Sequence, residues 1–176
     1  LIDRSLAEQI AEIAGVAAVA PRIEGTGRII GADGDPVGGN GAPTVAGNWI
    51  DDGTLNAFDL AEGRAPAAPG EAVIDKRAAD EGDLAVGDTT TVLTPDPVDV
   101  TIVGLATFGP ADSQGAATYA AFTTDFADQV LMPESGLASD IVVSAENGVS
   151  QAELVDRLDA ALAAGVESIT GEELTA

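Results

Sequence analysis

The chain has 176 residues, 45% of them hydrophobic, and its 30 acidic and 7 basic side chains leave a formal net charge of −23. That length and apolar share suit one ordinary domain or two small lobes sharing a core. A surface this acidic repels phosphate backbones and anionic headgroups, which excludes nucleic-acid binding and flat attachment to a bilayer, and the absence of Cys and His removes disulfides, thiol nucleophiles, imidazole bases and ordinary zinc centres.

The first element reads as a helix. Ile2, Leu6, Ile10 and Ile13 form one apolar stripe, with Asp3, Glu8 and Glu12 off it and Gly15 as a stop. Val16 to Glu24 is extended in character and continues to Ile30, and Gly31 to Asp35 is a turn. The stretch 34–48, dense in Gly, Asn and Pro, reads as a loop. Uncharged apolar residues near the start run only from Gly15 to Pro21, against the ~20 a spanning helix needs. No signal peptide is visible, and a chain opening on Leu1 reads as an excised or processed piece.

The middle is rich in strands. Glu71–Asp75 is a short strand, followed by helical turns from Lys76 to Glu81 that end at Gly82. Leu84–Asp88 is a turn feeding a β-branched strand, Thr89–Thr94. Pro95-Asp96-Pro97 reverses the chain into Val98–Phe108, where Val98, Val100, Ile102 and Gly104 alternate against Asp99, Thr101 and Val103. Thr118–Phe122 is another strand. Thr124 is placed to cap a helix from Asp125 to Leu131 with Phe126 and Val130 on its buried side.

A helical unit closes the chain. Asp140–Ala145 reads as a strand. Ser150 and Glu153 have capping-box spacing, and Leu154, Leu158 and Leu162 make a stripe that stops at Gly165. Val166–Ile169 reads as a final short strand. The expected fold class is therefore α+β: a porter-like α/β lobe from both chain ends, 1–48 and 133–176, with a β-rich lobe inserted at 49–132. Both helical stripes should pack on one sheet holding the strands around Val19 and Val142.

Candidate chemistry is sparse. Asp33-Gly34-Asp35 starts like a calcium loop, but the fifth and twelfth positions are Val37 and Thr44 where oxygen ligands are needed. Asp51 and Asp52 are the other acidic pair a metal would select. Gly25-Thr26-Gly27-Arg28-Ile29-Ile30-Gly31 places its third Gly one residue late for a dinucleotide loop and reads as strand. Ser113 lacks the first Gly of a nucleophile elbow, and nothing in the spacing makes Lys76 its base. A chance pair of carboxylates would lack substrate-stacking aromatics, of which there are only Trp49, Tyr119 and four Phe. No catalytic, cofactor-binding or metal residue is assigned.

Several phrases in order carry a family resemblance. Leu60-Ala61-Glu62-Gly63-Arg64-Ala65-Pro66 resembles a segment of the extracytoplasmic, MacB-like periplasmic core domain of FtsX/MacB-type ABC transporter permeases. Pro69-Gly70-Glu71 leading into a strand, Val86-Gly87-Asp88-Thr89, and Thr101-Ile102-Val103-Gly104 are similar to further parts of it. Ser168–Leu174 resembles the junction before the second membrane span in actinobacterial members. The resemblance covers nearly the whole chain; the acidity and the long Gly-rich loop after Ile30 depart from it.

It implies a non-enzymatic domain on the extracytoplasmic side of the cell membrane, between two spans. Its implied partners are a second permease copy or paralogue and a cytoplasmic ATP-binding subunit reached through the membrane helices. The cargo, whether peptide, lipid or protein, is left open, and no cofactor or nucleic acid is implied. The alternative is a free-standing exported acidic binding module. The permease reading further expects Leu1 and Ala176 to emerge on one face.

Overall fold

The strand-forming runs assemble into one large curled sheet and two short ones in a computed structural model that describes residues 1–39 and 41–175. In chain order the elements are β1 (Ile2–Asp3), α1 (Leu6–Ala11), β2 (Val16–Arg22), β3 (Glu24–Thr26), β4 (Arg28–Ile29), β5 (Thr44–Asn48), β6 (Asp59–Gly63), β7 (Glu71–Asp75) and α2 (Lys76–Gly82). They continue with β8 (Thr89–Leu93), β9 (Val98–Thr107), β10 (Thr118–Phe122), α3 (Thr124–Leu131), β11 (Leu137–Ala138), β12 (Asp140–Ala145), α4 (Gln151–Ala161) and α5 (Gly171–Thr175). The class is α+β, as expected.

The large sheet runs β3-β5-β10-β7-β9-β8-β4, with β6 paired to β9. Its two ends are consecutive in the chain: β3 pairs with β5 and β4 pairs with β8. The segment Glu24–Ile29 thus closes the curl on itself, and Gly27 is the corner. Its N–H bonds the Thr44 carbonyl at 3.1 Å. A Cβ there would sit 2.3 Å from the Ala46 Cβ, so only glycine lets β5 approach. Gly27→Ala should lower stability by about 1–3 kcal/mol, the usual overpacking range, read as a lower urea midpoint at unchanged slope; an unchanged midpoint would show that the curl is not closed here.

One core fills the curl. Ile23, Ile29, Ile74, Ile102, Val92 and Phe122 are fully buried within it, under Ala78 and Ala79 of α2 and Ala127 and Leu131 of α3. A second cluster, Phe58, Val73, Val103, Ala106 and Ala121 with Trp49, Phe108 and Tyr119, lies on the sheet's other face. Phe58 stacks on Tyr119 with ring centroids 4.2 Å apart. The expected alternation along β9 holds for Val98, Val100 and Ile102. It breaks at Val103, where an irregularity against β7 inserts one residue, so Leu105 rather than Gly104 joins the inner row.

A third core belongs to the two-stranded β2–β12 sheet. Ile10 of α1 and Leu154 and Leu158 of α4 are buried there against Val16, Val19, Ile141 and Val143. Both helical stripes thus pack on one sheet, except that Ile2 leaves the helix, pairs with Ala138 in β11 and packs on the large core. Glu24–Ile29 and Thr44–Asn48, expected with the chain ends, are bonded into the large sheet; Thr44–Asn48 is a strand parallel to β10, not loop. Thr123, not Thr124, caps α3, accepting from the Phe126 N–H at 3.3 Å; Phe126 and Val130 pack partly buried on the large core, on the helix side expected, beside the buried Ala127, Asp128 and Leu131. Val166–Ile169, expected as a strand, has no regular secondary structure and joins no sheet.

Candidate functional site

The sequence candidates for chemistry stay apart. Asp33 closes a local turn by accepting the Asp35 N–H at 3.0 Å. Asp52 accepts both the N–H and the hydroxyl of Thr54, at 2.8 and 2.6 Å, which holds its carboxyl below the ordinary range. Asp35 and Asp51 are exposed, and among the described residues no three acidic side chains gather around a common point. Residues Gly25–Gly31 are β3, the Gly27 corner and β4, with no helix for a phosphate. The buried Ser113 hydroxyl donates to the Gly115 carbonyl at 2.7 Å within its own loop, while Lys76 on α2 sits 3.6 Å from Asp112, so the two side chains form no dyad.

The polar groups that do converge lie where the β2–β12 sheet meets the large one. Asn48, at the end of β5, is buried. Its side-chain oxygen accepts the Ile23 N–H at 2.8 Å, and its amide donates to the Pro21 carbonyl at 2.9 Å and the Thr124 hydroxyl at 3.1 Å. One side chain therefore ties the crossover from β2 to β3 to both β5 and the start of α3. The returning strand is fastened beside it. The Ser139 hydroxyl accepts the Glu24 N–H at 2.9 Å and donates to the Glu24 carbonyl at 3.2 Å, and Arg22 makes a two-pronged pair with Asp140 at 2.6 and 2.9 Å. Farther along, Arg4 reaches Asp125 at 3.2 Å and Asp128 at 3.9 Å on α3. Asp128, itself buried, also takes the Ser135 hydroxyl and the Gly136 N–H.

A second polar group escaped the sequence reading. Asp75 ends β7 and caps α2, its two oxygens accepting the Ala78 N–H at 2.9 Å and the Tyr119 N–H at 2.6 Å. Burial pushes its carboxyl up to about 6 despite those two bonds. Burial likewise pushes the Tyr119 phenol up; its hydroxyl lies 3.3 Å from the Asn48 carbonyl. The strand-to-helix switch at Asp75-Lys76 was the available sign of a cap. Nothing local marks Asn48, because its partners lie 25 and 76 residues away in sequence.

Beside this junction a groove of about 670 Å³ opens along β12. Leu154 and Leu158 of α4 form its floor, and Leu1, Ile169 and Leu174, all exposed, lie on its rim. Residues from both ends of the chain thus border one concavity; Ala176 lies outside the described residues. Among its lining residues Arg22 is the one cationic side chain, and it is paired with Asp140.

A family model described as the MacB-like periplasmic core domain matches residues 2–161. Among solved structures the chain is similar to the periplasmic region of MacB from Actinobacillus actinomycetemcomitans, at 15% identity and a TM-score of 0.58, covering 91% of this chain and 74% of that one. It is also similar to the extracellular domain of the ABC-type transporter YknZ from Gram-positive bacteria, at 13% identity and a TM-score of 0.60, covering 91% and 78%. No curated protein matches it.

Proposed function

Because the chain belongs to the family of MacB-like periplasmic core domains, we propose that it is the extracytoplasmic domain of a membrane-bound ABC transporter permease. It couples ATP-driven movement of membrane helices to the handling of a substrate or partner outside the membrane. The observation that carries this reading is that Leu1–Ile2, Gly165–Gly171 and Leu174 border the same groove along β12. Displacements arriving through helices joined to those two segments would converge on one groove, where the small lobe meets the large core.

The junction supports the same reading. Two strands cross between the lobes, and Asn48, Ser139 and Arg22 fasten both crossings. A load on the small lobe therefore passes into the curled sheet through hydrogen-bonded strands rather than a slack linker. In this reading the domain does no chemistry of its own. Its partners are a second permease copy or paralogue and a cytoplasmic ATP-binding subunit.

These 176 residues hold no cysteine, so once any cysteines elsewhere in the permease are replaced, labels can be introduced singly. In the complete permease with its ATP-binding subunit, spin labels at Glu12→Cys on the small lobe and, separately, at Asp96→Cys on the large one should report copy-to-copy distances. Both positions are exposed. The expected result is a shift of several ångströms between nucleotide-free and ATP-trapped states at both sites. Identical distributions in the two states would remove the coupling role.

A further inference from the structure

We propose that Val166–Ile169 is a strap that closes onto the free edge of β12 as a third strand of the small sheet, and that the structure shows it open. The small sheet has only two strands, so β12 presents its second edge unpaired among the described residues. Alternate N–H and C=O groups along that edge point away from β2.

The groove locates the edge. Every residue from Ser139 to Ala145 lines it, whichever face its side chain takes, whereas β2 contributes only Arg22. A concavity bordered by consecutive residues of one strand runs along that strand's edge, because successive side chains leave by opposite faces. Its far wall is Gly165–Gly171.

The wall is built like a strand that lacks its partner. Val166, Ser168 and Thr170 are partly covered while Glu167 and Ile169 are exposed, the two-residue period of an extended segment beside a surface. Glu167, Ser168 and Ile169 donate no backbone hydrogen bond among the described residues. The chain path suits the docking: strand β12, helix α4 and then an extended segment form the unit in which a helical crossover returns the chain parallel to the first strand.

Both ends of the strap are defined. Gly165, at φ +105°, allows a swing that other residues resist. At the other end Thr170 and Glu173 cap α5 reciprocally: the Glu173 carboxylate accepts the Thr170 N–H and hydroxyl at 2.8 and 2.9 Å, and the Thr170 oxygen accepts the Glu173 N–H at 3.2 Å. The Gly171 N–H bonds the Gln151 side chain on α4 at 3.1 Å. The strap is thus hinged on one side and anchored to α4 on the other. This inference stands on the fold alone, so its failure leaves the permease reading untouched.

Amide exchange followed by NMR on the 176-residue chain tests it. With the strap visiting its closed position, the outward amides of β12 and alternate amides of Glu167–Ile169 should exchange about tenfold or more slower than in an unstructured chain. Ser168→Pro deletes one donor of the added strand without removing any bond the open structure makes, and the proline favours extended backbone before it. It should abolish the protection on the β12 edge and leave the amides of β7 and β9 unchanged. Equal rates on that edge in the parent chain and in Ser168→Pro would overturn the strap. Protection that rises with protein concentration would assign the edge to a second copy and overturn it equally.

Discussion

The domain should be most stable near about pH 4–5 and lose about 2 kcal/mol of that stability by pH 7 through one side chain, Asp75, whose carboxyl sits about two pH units above its ordinary 3.8. The carboxyl is buried at the end of β7, and the Ala78 and Tyr119 N–H groups, helped by its own N–H and the Arg77 charge, do not offset that burial. With a folded pKa near 6, the native state binds the proton more tightly than the unfolded chain. Asp75's contribution is therefore complete below 3.8 and is lost as the pH rises through 6. The net charge of −23 adds self-repulsion in the same direction as the pH rises.

Glu71 sets the acid limb. The Arg64 guanidinium at 2.5 and 2.8 Å, helped by the Ala67 and Ala68 N–H groups, pulls its carboxyl down to about 2. Its contribution is present above 4.5 and disappears as the pH falls toward 2. Urea midpoints between pH 3 and 8 give the curve, and Asp75→Asn should flatten it between 4 and 6.5. That variant should also be less stable at low pH by about 1–2 kcal/mol, because an amide offers one acceptor to two N–H donors. An Asp75→Asn protein that keeps the parent slope would place the titration elsewhere.

Asn48→Ala should cost about 3–5 kcal/mol, since it strands the Ile23 N–H, the Pro21 carbonyl and the Thr124 hydroxyl together in a buried junction. Asn48→Asp separates the two halves of the amide's role. It keeps an acceptor for Ile23 but turns an oxygen toward the Pro21 carbonyl and buries a charge, so its defect should be larger at pH 7 than at pH 4. Equilibrium unfolding and amide exchange check both. The exchange gain should concentrate at Arg22–Glu24 and Ser139, where the strands cross. A loss below about 1 kcal/mol for Asn48→Ala would mean that water replaces the amide and the crossing is not held by it.

Part of the architecture was legible from local pattern. Glu71–Asp75, Thr118–Phe122 and Asp140–Ala145 are short apolar or β-branched runs bracketed by turn residues, and their bounds are the observed ones. The Gly82 end of α2 and the Ser150 cap of α4 follow from backbone chemistry within a few residues, and Ser150 accepts the Glu153 N–H at 3.2 Å as its spacing implied. The ordered phrases from Leu60 onward pointed to the family that matches residues 2–161. What failed were segments whose state depends on a distant partner. Thr44–Asn48 has Gly-rich surroundings and only becomes a strand through parallel pairing with β10, more than 70 residues on. Asp59–Gly63 is exposed at every position and shows no apolar alternation, yet β9 recruits it as an edge. Val166–Ile169 has the strand pattern and lies open beside an edge it does not touch. Capping, turns and helical stripes are decided within a few residues of sequence, where side chains and backbone meet directly. Sheet membership and the Asn48 junction are decided by which remote backbone groups come into reach, and that only the closed tertiary structure determines.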